Sequence, residues 1–249
     1  MLLLIDAGNT RVKWALAAPG AAAGAWHAHG AALHADLAAA AAAWHGQGVT
    51  HALVSNVAGA ALRERLAALL APIATEWFAS SAQRAGLVNG YREPERLGCD
   101  RFAAAIGARA LAPAQALVVA TAGTATTVDA VSNEGRFIGG MILPGLALMA
   151  GALAKNTAQL PQATPGAAPP PQFADNTNDA IVSGCLSAQA GAIERAVAAH
   201  SGALCILSGG AAPYIAPALT CAHRLVDNIV LVGLHAVALA ATRMGDSTC

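Results

Sequence analysis

The chain has 249 residues, and its 14 lysines and arginines are balanced by 14 aspartates and glutamates. This length is enough for one large domain or for two modest lobes, each with its own core. A chain without net charge creates no field that would gather nucleic acid or an anionic membrane surface, so composition disfavours both as partners.

The cysteines and the start of the chain predict a cytoplasmic protein. After Met-Leu-Leu-Leu-Ile the chain meets Asp6, with neither a basic region nor an apolar stretch of signal-peptide length. Glycine and proline interrupt the uncharged segment 137–154, so we expect a strand, a turn and the start of a helix there rather than a membrane span. No C-x-x-C pair occurs among the cysteines, which we interpret as reduced thiols: Cys99, Cys185, Cys205, Cys221 and Cys249.

In the first half of the chain, the apolar pattern predicts a hairpin followed by helices and strands. Residues 2–17 read as a buried strand, a turn at Gly8-Asn9 and a second strand in which Val12, Trp14 and Leu16 share one face. The elements expected next are a weak strand near 25–28, an alanine-rich helix over 36–45, a strand over 51–54, a helix over 60–70 and a helix from near Phe102.

The second half repeats this logic. The expected elements are strands at 116–119, within 121–130 and at 136–143, a loop at 164–173, a helix over 179–200, a strand at 203–207, a short helix near Pro213, a strand at 224–226 and a helix over 229–242. Because strands followed by helices occur twice, we predict an α/β protein of two similar lobes, residues 1–113 and 114–249.

The first motif with chemical potential is Asp6-Ala7-Gly8-Asn9-Thr10, followed by Lys13. At the end of a buried strand, a glycine lets the backbone approach a phosphate closely, while Asn, Thr and Lys donate hydrogen bonds or charge. A carboxylate beside phosphates needs a cation, so Asp6 predicts Mg²⁺, bound directly or through water. The alternative is a plain hairpin turn.

A second small, hydroxyl-rich turn runs from Thr121 to Asp129 in the sequence TAGTATTVD, again between apolar strands. Two such turns facing one another from two lobes would grip a nucleoside triphosphate. Thr124 would then lie near the terminal phosphates and Asp129 near the metal. A threonine-rich edge strand is the alternative for this segment.

In a third motif, Gly98-Cys99-Asp100-Arg101, an acid and a base follow a glycine just before a predicted helix. Asp100 could accept a proton from a substrate hydroxyl, and Arg101 could bind a carboxylate through two parallel hydrogen bonds. Asp100 could instead be a helix N-cap. Tyr91 either forms a wall of the same pocket or packs in the core.

The order of these motifs, completed by Ser208-Gly209-Gly210 after a strand, resembles the type III pantothenate kinases. That family belongs to the actin-like ATPase superfamily, with two lobes of ribonuclease H-like fold. The similarity covers nearly the whole chain, and GCDR at 98–101 with GTATT at 123–127 is its most specific part. The resemblance implies an ATP-dependent kinase that phosphorylates pantothenate in the first step of coenzyme A biosynthesis.

The resemblance also implies residue roles and a homodimer with substrate sites near the subunit interface, across which Thr177 would act. Asp100 would be the catalytic base, with Mg²⁺ at Asp6 and Asp129. Pantothenate would contact Tyr91, Gly98, Cys99, Asp100, Arg101 and Thr177. ATP would contact Asp6, Ala7, Gly8, Asn9, Thr10, Arg11, Val12, Lys13 and Thr124.

One position departs from the family pattern. Many relatives carry an acidic residue two positions before the glycine of Gly-Thr-Ala, where it helps to hold K⁺ or NH₄⁺, and here that residue is Thr121. Dependence on a monovalent cation is therefore open. Two other functions also remain: a kinase for another small hydroxy acid, and a non-catalytic accessory factor for transcription, although retained Asp6, Lys13, Asp100 and Arg101 argue against the latter.

Overall fold

The computed structural model describes residues 1–246 and divides the chain into two compact units. The first unit contains Met1–Pro113, Gly135–Phe137 and the chain from Ile229 onward, and the second contains Ala114–Glu134 and Ile138–Asn228. The division after residue 113 coincides with the predicted one. The last helix, however, belongs to the first unit, whereas the sequence pattern places it in the second lobe.

Groups of one to three strands are followed by helices along the whole described chain. The strands are β1 (Leu2–Ala7), β2 (Arg11–Ala17), β3 (Ala28–Leu33), β4 (His51–Asn56), β5 (Ala74–Phe78), β6 (Gln83–Arg84), β7 (Leu87–Asn89), β8 (Leu117–Ala122), β9 (Ala125–Val131), β10 (Arg136–Pro144), β11 (Leu204–Ser208) and β12 (His223–Leu225). The α-helices are α1 (Leu37–Ala41), α2 (Ala60–Leu70), α3 (Cys99–Leu111), α4 (Leu146–Asn156), α5 (Thr177–Ala199), α6 (Ala212–Ile215) and α7 (Ile229–Asp246).

Both units use the same strand order. In the first unit the order is β3-β2-β1-β4-β5, with β1–β2 and β2–β3 antiparallel and β1–β4 and β4–β5 parallel. In the second the order is β10-β9-β8-β11-β12, with β8–β9 antiparallel and β8–β11 and β11–β12 parallel. The prediction of two similar α/β lobes is confirmed.

In the first unit, the central strand β1 is covered by helices, and its residues from Leu3 to Ala7 are buried. Helices α3 and α7 pack against each other at two glycines. A Cβ atom on Gly107 would lie 2.7 Å from the Gly233 nitrogen, and one on Gly233 would collide with the Ala103 carbonyl oxygen. Glycine is therefore required at this crossing because no side chain fits between the two backbones.

In the second unit, the apolar residues of β8 and β11 form a core with the inward faces of α4, α5 and α6. The α5 helix begins with a side-chain cap, because Asn176 Oδ1 accepts a hydrogen bond of 3.0 Å from the Asp179 nitrogen. Residues 157–176 contain neither helix nor strand, which confirms the loop predicted there. No helix among residues 1–246 has the length and apolar character needed to cross a bilayer.

Two of the elements that differ from the prediction pack next to Trp14. The third strand lies at Ala28–Leu33 rather than near 25–28, and it pairs Gly30 with Trp14, whose ring would be 2.8 Å from a Cβ on Gly30. The alanine-rich helix ends at Ala41 instead of residue 45. A tighter turn follows because Trp44 is buried with its ring 6.2 Å from that of Trp14, centroid to centroid.

Candidate active site

Asp6 is a buried carboxylate near the end of β1 in the first unit, with 7% of its surface exposed. Its antiparallel partner on β2 is Lys13, whose Nζ lies 4.0 Å from Asp6 Oδ2. Burial raises the pKa of Asp6 to about 6, Lys13 opposes that rise, and the negative charge of Asp100 adds to it. Electrostatic interactions therefore join three of the predicted residues, and the Lys13 ammonium offsets only part of the rise in the pKa of Asp6.

The turn after β1 is held by its own backbone. The Gly8 N–H donates to the Arg11 carbonyl at 3.1 Å, and the Gly8 carbonyl accepts a hydrogen bond from His34 Nε2 at 2.9 Å. Asn9, Thr10 and Arg11 are exposed. Ala7 and Val12 point their side chains into the core, so a ligand at this turn could reach only their backbone.

Asp100 lies in the first turn of α3, which begins at Cys99 rather than near Phe102. The interpretation of Asp100 as the N-cap is wrong, because that position belongs to Gly98. The Asp100 Oδ1 accepts a hydrogen bond of 2.8 Å from the Arg101 nitrogen. Burial raises the pKa of Asp100, and this hydrogen bond and the Arg101 charge partly offset the rise. A Cβ on Gly98 would lie 2.7 Å from Asp100 Oδ1, so a larger residue would displace the carboxylate.

The thiol of Cys99 is engaged inside the unit. Its Sγ lies 3.4 Å from Ser55 Oγ and 3.6 Å from the Asn56 carbonyl oxygen, at the end of β4. Burial raises the pKa of the Cys99 thiol, so it is not an activated nucleophile. A substrate contact at this residue would therefore involve its backbone rather than its sulfur.

Arg101 is buried between aromatic rings, with 6% of its surface exposed. Its Nη1 donates to the Tyr91 hydroxyl at 3.0 Å, and its guanidinium carbon lies 5.7 Å from the Tyr91 ring and 5.8 Å from the Phe137 ring. A cation stacked on aromatic faces keeps a fixed orientation. The predicted pairing of Tyr91 with Arg101 in one pocket wall is consistent with this geometry.

In the second unit, the turn between β8 and β9 is held against two neighbouring segments. The Gly123 nitrogen donates to the Ala125 carbonyl at 3.0 Å, and the Gly145 nitrogen donates to the Thr124 carbonyl at 2.9 Å. Gly209, with φ of +101°, lies directly against the backbone of Ala122. The Gly123–Thr124 turn is therefore bonded to Gly145, Gly209 packs against the residue before the turn, and the Thr124 side chain is exposed.

The other predicted residues of the second unit are Asp129, Thr177 and Thr121. Asp129 is buried, five residues after Thr124 along an extended strand, which separates the two by roughly 16 Å. The assignment of Asp129 to the metal stays a prediction. Thr177 is exposed at the first position of α5. Thr121 Oγ1 is buried, without a hydrogen-bond partner in the described structure.

Sequence reasoning missed three residues that shape the site in the first unit. His34 bonds the Gly8 carbonyl across 26 positions of sequence, and Phe137 stacks against Arg101. Buried Asn89 holds the segment before α3, because its Oδ1 accepts from the Tyr91 nitrogen and its Nδ2 donates to the Pro94 carbonyl. Of these three residues, Asn89 is the one with a sequence signal, because it belongs to the Asn-Gly-Tyr segment just before the GCDR motif.

Solved structures with the same fold belong to proteins of several functions. A Campylobacter jejuni protein assigned to the Baf family of transcriptional activators gives a TM-score of 0.65 at 18% identity, over 97% of this chain and 99% of that one. The Clostridium difficile activator of 2-hydroxyisocaproyl-CoA dehydratase, solved with bound ADPNP, gives 0.51 at 11% identity, over 98% and 97%. These TM-scores, over nearly the full length of each chain, establish the fold, which is the predicted actin-like ATPase and sugar-kinase fold.

Sequence comparison gives much closer relatives. The type III pantothenate kinase of Herminiimonas arsenicoxydans is 57% identical over 252 residues, covering 96% of this chain and 98% of the relative. That of Janthinobacterium sp. is 55% identical over 254 residues, with the same coverage. The sequence profile of the family type III pantothenate kinase matches residues 2–199. The chain therefore belongs to the type III pantothenate kinase family.

Proposed function

We propose that this protein transfers the γ-phosphoryl group of ATP to the primary hydroxyl of pantothenate, the first step of coenzyme A biosynthesis. The observation that carries the proposal is the grouping of Asp6, Lys13, Asp100 and Arg101 in the first unit. A base beside an anion-binding guanidinium suits a substrate with one hydroxyl and one carboxylate. Placing the carboxylates of Asp6 and Asp100 near each other is electrostatically unfavourable, and a regulator without catalytic activity would not need this arrangement.

The chemistry assigned to Asp100 is general base catalysis. As the pantothenate hydroxyl oxygen forms its bond to the γ-phosphorus, the bond from that phosphorus to the β–γ bridging oxygen breaks and ADP leaves. The hydroxyl proton passes to Asp100. Burial raises the pKa of Asp100 and so increases its basicity, while the N-terminus of α3 and the Arg101 N–H stabilise its ionised form.

Magnesium fits the environment of Asp6. A buried carboxylate with a pKa of about 6 and one ammonium at 4.0 Å lacks positive charge, which a divalent cation would supply. No group of three or more His, Cys, Asp or Glu side chains among residues 1–246 is arranged to hold a metal by itself. Phosphate oxygens and water would therefore provide most magnesium ligands, with Asp6 as the protein's contribution. Mg²⁺ would neutralise charge on the transferring phosphate.

The remaining contacts follow from family membership and are proposed separately for each unit. In the first unit, Asn9, Thr10, Arg11, Lys13 and the backbone of the turn would bind ATP, and Tyr91 and Gly98–Arg101 would bind pantothenate. In the second unit, Thr124 would contact ATP and Thr177 pantothenate. The exposed position of Thr124, Thr177 and Asn9 supports these assignments.

A monovalent cation is expected to matter little in this enzyme. The family position that is often acidic is Thr121, whose neutral hydroxyl attracts a cation far less than a carboxylate does. Because this attraction is weak, turnover in KCl should exceed turnover in NaCl at the same concentration by less than about twofold. A strong, saturable requirement for K⁺ or NH₄⁺ would show that carbonyl oxygens supply the site instead.

We propose a homodimer, supported by consecutive elements of the second unit that leave large apolar side chains exposed. Scattered apolar residues are ordinary on a surface, but a concentration of them marks an interaction site. These side chains are Ile138, Met141 and Ile142 on β10 and Leu148 and Leu153 on α4. Light scattering should give twice the chain mass of 24.7 kDa, and a fully active monomer would contradict the proposal.

A cytoplasmic location is also proposed, and it fits the cysteines that the structure describes. Cys99, Cys185, Cys205 and Cys221 are all free thiols, as expected in a reducing compartment. Cys249 lies outside the described residues. Labelling of the unreduced native protein with a thiol reagent after unfolding should recover these four cysteines in reduced form.

The function is tested by measuring ADP release with Mg·ATP and a panel of hydroxy acids. Pantothenate should give the highest kcat/KM in that panel, with no release in its absence beyond slow hydrolysis. Preference for another hydroxy acid would make the protein a different small-molecule kinase. Release with no acceptor in the panel would favour the regulatory alternative, which the fold shared with the Campylobacter jejuni protein leaves open.

A further inference from the structure

His34 contacts the turn that we assign to the ATP phosphates, although it lies outside every motif. It follows β3 directly, in a single 3-10 turn over His34–Asp36, and its Nε2 is 2.9 Å from the Gly8 carbonyl oxygen. A carbonyl oxygen only accepts hydrogen bonds, so Nε2 carries the proton and donates. The backbone of His34 is itself held, because Arg65 Nη2 on α2 donates to the His34 carbonyl at 2.9 Å.

This hydrogen bond fixes the direction of a peptide group. In a planar trans peptide the carbonyl of one residue and the N–H of the next point in opposite directions. A Gly8 carbonyl held toward His34 therefore aims the Asn9 N–H away from His34. Glycine allows the reverse orientation at little cost, since it has no Cβ to restrict its torsion angles. Loss of the imidazole would remove this constraint on the Gly8 carbonyl and make it easier for the peptide to turn that carbonyl toward an anion.

We propose that His34 is a positioning residue for ATP, which keeps the Asn9 N–H available to a phosphate oxygen and the Gly8 carbonyl turned away from it. The inference rests on the proposed function, because it takes the turn at Gly8–Thr10 as the phosphate-binding segment. Backbone N–H groups arranged in a turn bind anions well, while a carbonyl dipole in the same place repels them. Arg65 supports this role by anchoring the turn that carries the imidazole.

Two amide variants separate the hydrogen bond from general packing. In His34→Gln the amide nitrogen is about as far from the backbone as the Nε2 atom of histidine, so it can donate to the Gly8 carbonyl. The side chain of His34→Asn is shorter, and its amide nitrogen cannot reach that carbonyl. The matched control is His29→Asn on β3, where the side chain is exposed. The three variants are compared with the wild type by steady-state kinetics and by titration with the non-hydrolysable analogue ADPNP and Mg²⁺.

His34→Asn should raise the dissociation constant of ADPNP and the KM for ATP about fivefold, the size of one neutral hydrogen bond. The KM of this variant for pantothenate at saturating ATP should stay within about twofold of the wild-type value, a smaller change than the one expected for ATP. His34→Gln should recover ATP binding, and His29→Asn should match the wild type. Unchanged ATP binding in His34→Asn, or an equal loss for both substrates, would overturn the inference.

Lys13→Ala distinguishes failure of this inference from failure of the site assignment. If Lys13→Ala weakens ADPNP binding and His34→Asn does not, the turn binds phosphate but His34 does not position it. If neither variant weakens binding, the turn is not the phosphate site and the assignment of Asp6–Lys13 to ATP is wrong. If His34→Asn does not fold, failure of His34→Gln to bind ADPNP like the wild type overturns the inference.

Discussion

The guanidinium of Arg101 and the hydroxyl of Tyr91 are joined by a hydrogen bond of 3.0 Å within the first unit. Tyr91 is anchored in turn, because its backbone nitrogen donates to Asn89 Oδ1 at 3.0 Å. Asn89 is buried and bridges two backbone carbonyls through its amide nitrogen. A chain of contacts therefore fixes the orientation of Arg101, and a fixed guanidinium binds a carboxylate with little loss of side-chain entropy.

Substitution at this pair is expected to affect pantothenate rather than ATP. Arg101→Lys keeps the charge but loses the planar donor array, so the KM for pantothenate should rise about tenfold or more, with little change in the KM for ATP. Tyr91→Phe removes only the hydroxyl and should raise the same KM less, about threefold. Steady-state kinetics with each substrate varied in turn measures both. An increase confined to the KM for ATP would remove Arg101 from the pantothenate site.

The pKa of Asp6 predicts an acid limit on activity. If Asp6 must be ionised to hold magnesium, kcat/KM for ATP should fall as the pH drops through about 6, well above the ordinary range of a carboxyl group. Burial is the main cause of the raised pKa of Asp6, and repulsion from the Asp100 carboxylate adds to it. Asp100→Asn removes this repulsion and should move the limit to lower pH. A flat profile between pH 5 and 7 would contradict the account.

The buried carboxylate of Asp6 is also expected to lower the free energy of unfolding when magnesium is absent. Its folded pKa of about 6 exceeds the reference value of 3.8, so the folded state binds the proton more tightly and stability falls as the pH rises from about 4 to 6. Asp6→Asn should therefore stabilise the metal-free protein at pH 8 by about 3 kcal/mol, while abolishing most turnover. At pH 4 the gain should vanish. Urea unfolding at both pH values measures it.

Asp100→Asn tests the general base. The variant keeps the side-chain volume and one acceptor, so the fold and the dissociation constant of ADPNP should change little. Because phosphoryl transfer depends mainly on positioning and charge, loss of a base should lower kcat by about 10² to 10⁴ rather than abolish it. Wild-type kcat in this variant would leave Asp100 with a structural role in the first turn of α3.

The crossing of α3 and α7 predicts a large effect of a single methyl group. Gly233→Ala places a Cβ against the Ala103 carbonyl, so the free energy of unfolding should fall by about 2 kcal/mol or more. The matched control is Gly191→Ala in α5, where a Cβ would meet nothing within 4 Å. That change should gain roughly 0.5 to 1 kcal/mol from helix propensity. Equal effects of the two substitutions would contradict the close crossing.

Local features of the fold could be predicted from sequence. The β1–β2 hairpin follows from an apolar run, a Gly-Asn turn and an alternating strand, all within one short segment. The α2 helix has the predicted bounds because its leucine spacing is locally complete, with Leu62, Leu66 and Leu70 buried. The site residues of GCDR and GTATT could be named because short motifs carry them.

Features that depend on distant contacts could not be predicted. The Gly107–Gly233 crossing assigns α7 to the first unit, and no local pattern reveals which helix a glycine faces. The bond from His34 to Gly8 joins segments 26 positions apart through a histidine in an irregular turn. The separation of Thr124 from Asp129 is different, because the rise of an extended strand already implies it once that segment is read as a strand.

The central claim is that this protein phosphorylates the primary hydroxyl of pantothenate. The most direct test is to incubate the wild-type protein with Mg·ATP and pantothenate and identify the product by mass spectrometry and phosphorus NMR. The account predicts one new phosphate ester, formed in equal amount to ADP, whose phosphorus couples to the protons of a CH₂ group. A product phosphorylated at the secondary hydroxyl, or ADP formed without any ester of pantothenate, would contradict it.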